Sequence, residues 1–136
     1  MSPALIPLLR SLPAASPLGF DLNARHCLAL DLSAGNPRLD SFDPLDTARF
    51  STWIDQEIAA AGANYAAGGY GEDRALYRMS EIFAAADGGH RTVHLGIDLW
   101  APAGTTVYSV LDGHIHSLAD NAAFGDYGPT VIVEHA

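Results

Sequence analysis

The run Val93-His94-Leu95-Gly96-Ile97-Asp98-Leu99-Trp100-Ala101-Pro102-Ala103-Gly104-Thr105 decides how this chain is read. In an extended chain successive side chains point to opposite sides, so His94, Gly96 and Asp98 share one face and Leu95, Ile97 and Leu99 share the other. This alternation predicts that the three aliphatic residues enter a core while the imidazole and carboxylate line a groove. A fully extended strand would hold the α-carbons of residues 94 and 98 about 13 Å apart, too far for both side chains to reach one ion at ligand distances of about 2 Å. The run must therefore bend, and Gly96, which has no Cβ, is suited to the bend and leaves room beside it. His94 and Asp98 are the candidate metal ligands, one nitrogen and one hard oxygen; a catalytic zinc site ordinarily takes three protein ligands, so the pair is incomplete.

On the C-terminal side the sequence continues as short β segments. Thr92 to Trp100, Thr105 to Ser109, His114 to Leu118 and Thr130 to His135 are predicted strands, separated by Pro102, Gly104, Asp112-Gly113 and the Gly/Pro cluster at 125–129. On the N-terminal side, Leu28, Leu30 and Leu32 alternate within His26 to Ser33 and predict a half-buried strand. A helix follows, with Asp43 as its cap, Pro44 in its first turn and Phe50, Trp53, Ile54 and Ile58 at three- and four-residue spacing; Gly62 closes it. Residues 62–71 are small and glycine-rich and read as a connector, and 72–86 as a short helix or irregular cover before an Asp87-Gly88-Gly89 turn. Pro3, Pro7, Pro13 and Pro17 divide residues 1–20 into pieces too short for a stable helix, which predicts an extended arm, docked or loose. The expected fold class is α+β and mainly antiparallel β-sheet: an extended or loosely ordered arm over 1–25, a strand-helix leader over 26–90, and a β domain over 91–136.

The 136 residues are enough to bury a core without disulfides, and the single Cys27, a small buried or semi-buried residue by its place among the leucines, can make none internally. Sixteen acids oppose seven bases, all of them Arg, for a net charge of −9. That balance speaks against a nucleic-acid partner and against binding an anionic membrane surface, both of which need a basic patch. Met1 to Phe20 has no cationic start and carries Arg10 inside its apolar run, so neither a signal peptide nor a membrane span is expected, and the expected location is cytoplasmic.

His94 to Gly104, followed by Val107, Asp112-Gly113, Phe124-Gly125-Asp126-Tyr127-Gly128 and Val131-Ile132-Val133-Glu134-His135, resembles the first half of a lysostaphin/LytM-type zinc metallopeptidase domain. The resemblance implies an incomplete form of that family's duplicated β fold, Zn2+ as cofactor with His94 and Asp98 as two of its ligands, and a peptide or peptidoglycan cross-bridge as substrate. In the family, zinc polarises the scissile carbonyl and activates water, while histidines assist proton transfer and stabilise the tetrahedral intermediate. Its third ligand belongs to a later His-x-His motif, preceded by a Tyr-x-His-type motif. The quoted sequence stops at Ala136, before both, which implies a fragment inactive by itself. Gly69-Tyr70-Gly71-Glu72-Asp73-Arg74 and the leader resemble metallopeptidase modules in larger bacterial proteins that also carry phosphotransferase-like and class III aminotransferase domains, so further domains of one longer chain are expected partners. The rival function is a non-catalytic peptide- or glycan-binding, or structural, module.

Other histidines are weaker candidates. His114-Ile115-His116 has the spacing of a strand pair but comes too early in the family order and reads as solvent-facing; His135 reads as an edge residue, and His26 and His90 have no spacing partner. Gly68-Gly69-Tyr70-Gly71 lacks the Lys of a phosphate loop and runs into Glu72 and Asp73, which would repel phosphate. Arg74, Arg78 and Tyr77 are expected to tie their segment to nearby acids, and Tyr127 to border the groove.

Overall fold

The computed structural model describes residues 5–43, 45–79, 83–84, 88–89, 91–123 and 125–135, with the side chains of Leu5, Ile6, Leu9, Arg78 and Met79 left aside. Pro44, Asp87, His90 and Phe124 thus lie outside the described residues, and so do the expectations placed on them. The fold is mixed α+β and mainly sheet. It divides into two compact units, Asn23–Ala103 and Met1–Leu22 with Gly104–Ala136.

In the Asn23–Ala103 unit, β1 (Cys27–Leu30) pairs in parallel with β2 (Tyr65–Gly68), which pairs antiparallel with β5 (Leu99–Trp100). The crossover between β1 and β2 carries a 3-10 turn (Pro37–Ser41) and the long helix α2 (Thr47–Ala60). Leu30, Leu32, Leu39, Ile54 and Ala66 form the core, with Leu28, Phe50, Trp53, Ile58 and Trp100 packed against them. The period-two leucines of β1 and the helical stripe of α2 thus meet as the sequence predicts, and burying Ile54 contributes about 2–3 kcal/mol.

The helix begins later than predicted. Asp46, not Asp43, is its cap, accepting from the Arg49 amide at 3.2 Å, while Asp43 accepts from the Leu45 amide in the turn before it. The Asp46 amide bonds Asp43 O at 3.0 Å, and only Asp46 directly precedes a continuous run of helical backbone. At the other end Gly62, at φ +61, closes α2 as predicted: its amide bonds Ala59 O at 3.0 Å and the Ala63 amide bonds Ile58 O at 3.0 Å. Those two bonds satisfy carbonyls that the helix leaves unpaired.

The segment read as a connector contains the central strand of the sheet. Tyr65 and Ala66 are buried, and Gly68, lacking a side chain, lies under Arg74 and Trp100. Small residues that read as loop composition here serve close packing, because a strand with neighbours on both edges has little room above it. β3 (Glu72–Asp73), followed by the short helix α3 (Ala75–Met79), pairs antiparallel with β4 (Val93–His94).

The Met1–Leu22 and Gly104–Ala136 unit contains α1 (Leu5–Ser11) and the hairpin of β6 (His114–Asn121) and β7 (Gly128–Glu134). A seven-residue helix forms where none was expected because Pro7 falls in its first turn, where no intrahelical amide bond is lost. The following arm is docked, the Ala15 amide bonding Val110 O at 2.7 Å and the Tyr108 amide bonding Pro17 O at 2.9 Å, but it turns at 17–20 instead of running fully extended. Residues 105–109, predicted as a strand, make no strand ladder among the described residues, since Tyr108 bonds to the arm instead. No helix among the described residues is long and apolar enough to cross a membrane.

Candidate functional site

The predicted bend is present. β4 ends at His94, the chain turns at Gly96, and β5 begins at Leu99, so the run leaves the β3 ladder and joins β2. Its passage is pinned by backbone bonds from Gly71 N to His94 O at 2.7 Å and from Gly68 N to Asp98 O at 3.0 Å. The sense of the alternation is opposite to the prediction. His94, Gly96 and Asp98 face inward, while Leu95 and Ile97 are 72% and 66% exposed, and Leu99 is half-buried. Tyr77 of α3 and Arg74, between β3 and α3, meet the His94–Asp98 face, and those partners make the inward placement of an imidazole and a carboxylate affordable.

The two candidate ligands converge. His94 Nε2 lies 3.5 Å from Asp98 Oδ2 and, although buried, has no hydrogen-bond partner among the described residues. Two donors on a tetrahedral zinc, each about 2.0–2.1 Å from the ion, stand about 3.4 Å apart, so nitrogen and oxygen are spaced as neighbouring ligands would be. Gly96 contributes by having no side chain: a Cβ there would stand 2.9 Å from His94 Nε2. The donor set therefore fits zinc as a partial site. Among the described residues no group of three His, Cys, Asp or Glu side chains converges to complete it.

Among the described residues, Tyr77 and Arg74 contact the pair, and Glu72 holds Arg74. Tyr77 Oη is 2.7 Å from His94 Nδ1. Arg74 Nη2 lies 2.5 Å from Asp98 Oδ2, and Arg74 Nε donates to Glu72 Oε2 at 3.0 Å, while Glu72 Oε1 accepts the Leu32 amide at 3.0 Å. Arg74 is only 6% exposed. Burial works against its charge, but the adjacent carboxylates of Asp98 and Glu72 outweigh burial and hold its pKa above the ordinary arginine value. Arg74 thus ties its segment to acids, as expected; Tyr77 bonds to a histidine, and the expectation placed on the Arg78 side chain lies outside the described residues. A cavity of about 220 Å³ adjoins Arg74 and Asp98, which are its charged part, with Leu32, Leu39, Phe50 and Trp100 as apolar walls.

The remaining histidines are placed elsewhere. His26 Nδ1 pairs with Gly62 O at 3.2 Å. His114 lies opposite Glu134, while His116 sits at a β-bulge between Ile115 and Ser117, which breaks the simple two-residue spacing of the pair. His135 Nδ1 meets Asp112 O at 3.0 Å, and Tyr127 is fully on the surface at 89% exposure. The Glu72-x-Arg74 spacing could have signalled a same-face ion pair on a strand; nothing local connects Tyr77 with His94, seventeen positions on. Comparison with protein-family models, curated proteins and solved structures finds no match to this chain.

Proposed function

We propose that His94 and Asp98 are two protein ligands of a zinc site, and that the stretch from His94 to His135 belongs to a metalloendopeptidase module of the peptidoglycan-hydrolase type, acting on a peptide cross-bridge. The observation that carries this reading is the buried His94 Nε2, without a hydrogen-bond partner among the described residues and 3.5 Å from Asp98 Oδ2. A buried nitrogen without a hydrogen bond is costly, and a carboxylate oxygen at ligand-to-ligand distance is what a shared cation would need opposite it. Zinc held there would polarise a peptide carbonyl and activate water. The chain's own residues hold the donors: β4 and β5 carry them, Gly96 lets them approach, and Glu72 and Arg74 keep the carboxylate oriented. With His94 and Asp98 as the only protein ligands among the described residues, zinc would be held weakly.

One observation favours a second reading, a non-catalytic peptide- or glycan-binding or structural module. Asp98 Oδ2 already faces the buried Arg74 cation at 2.5 Å and would serve as its counter-ion. Zinc titration of the full chain separates the two. The metal reading expects weak zinc binding that is lost in His94→Ala and in Asp98→Ala. Tight one-to-one zinc that survives both substitutions, or no zinc binding at all, overturns it.

A further inference from the structure

We infer that Tyr77 is a positioning residue for metal capture by His94, an inference that rests on the metal-site reading above. A neutral imidazole carries one N–H and one lone pair, so a ring that offers Nε2 to a cation must keep its proton on Nδ1. That proton needs an acceptor, since the ring is mostly buried, with its side chain 17% exposed. Tyr77 Oη, 2.7 Å from Nδ1, is the acceptor at hand, and a phenol hydroxyl accepts as readily as it donates. The bond also sets the rotation of the ring that aims Nε2 at Asp98 Oδ2. Hydrogen bonds of this kind to the second ring nitrogen orient metal-bound histidines and raise their basicity.

Tyr77 is itself held in place. It belongs to α3, its ring lies 4.3 Å from that of Phe83 between centroids, and the Arg74 guanidinium stands 6.0 Å from its centroid. Those contacts need the ring and not the hydroxyl. Tyr77→Phe therefore keeps the ring packing and removes the hydroxyl that accepts from Nδ1.

The test uses the full chain and Zn2+ in competition with a chromophoric chelator. Tyr77→Phe is expected to bind zinc about tenfold more weakly than the wild type. The Nδ1 proton of zinc-loaded His94, followed by ring 15N–1H NMR, is expected to exchange with water more quickly in the variant; a purely structural tyrosine would leave that exchange unchanged. Wild-type zinc affinity in Tyr77→Phe, with His94→Ala still abolishing binding, overturns the inference and leaves the metal site standing. Wild-type protein whose zinc binding does not depend on His94 overturns both. Should Tyr77→Phe fold poorly, slow exchange of the Nδ1 proton in the zinc-loaded wild type still supports the inference, and rapid exchange overturns it.

Discussion

The imidazole of His94 lies over the bare α-carbon of Gly96, where an added methyl would stand 2.9 Å from Nε2 and 3.1 Å from Cε1. The ligand pair is thus built around a missing side chain. Gly96→Ala has to push the ring aside and move Nε2 away from Asp98. Its φ is not in the left-handed region, so the backbone tolerates alanine, and the entropy gained from the unfolded chain, about 0.4–1 kcal/mol, offsets part of the clash. Zinc affinity is expected to fall about tenfold while the urea midpoint of the metal-free protein stays near that of the wild type; chelator competition and equilibrium unfolding measure the two.

Arg74 neutralises two carboxylates from within the fold. Arg74→Met keeps much of the volume but leaves Glu72 and Asp98 without their cation. Breaking a buried pair costs about 3–5 kcal/mol, and because Asp98 is one-third exposed and partly screened by water, the expected loss is near the lower end, about 3 kcal/mol. Urea unfolding at neutral pH gives the value, and a change below about 1 kcal/mol would mean that water already screens the cluster.

Gly62 is needed for its backbone conformation. Nothing stands within 4 Å of a Cβ built there, yet φ is +61. Gly62→Ala is therefore expected to destabilise by about 1 kcal/mol through left-handed strain alone, with no change in zinc affinity. An equal loss in affinity would mean that the end of α2 and the ligand pair are coupled.

Asp31 offers a pH-dependent test away from the ligands. The Ser33 side chain, and then the Ser33 amide at 2.9 Å, hold its carboxyl below the ordinary value of 3.8, against a small opposing effect of burial. A depressed carboxyl contributes stability above the unfolded pKa and loses it as pH falls through the folded one. The wild type should therefore exceed Asp31→Asn in urea midpoint at pH 7, and the gap should narrow from about pH 3.8 downward. A gap that stays constant to pH 2 would remove the carboxylate as its source.

The candidate ligands were legible because a strand imposes period two: His94 and Asp98 had to share a face, and a glycine between them had to mark the bend. The strand Cys27–Leu30, the apolar stripe of α2 and the Gly62 stop were legible for the same reason, since each is a local pattern repeated at the period of its own backbone. Local pattern does not say which face of a short strand meets a partner. The sequence assigned Leu95 and Ile97 to the core, but the bend carries them away from the ladders and turns the polar face toward Arg74 and Tyr77. Ala66 and Gly68 likewise read as loop until the strands on either side of them are known.

By itself the sequence determined β1, the apolar stripe and end of α2, and that His94 and Asp98 share a face across a bend, because alternation and turn chemistry act over a few residues. Only the tertiary structure decided that Arg74 and Glu72 brace the carboxylate and that a tyrosine from another element touches the imidazole. Such contacts depend on chain crossings many residues apart, and no short-range regularity encodes where those crossings fall.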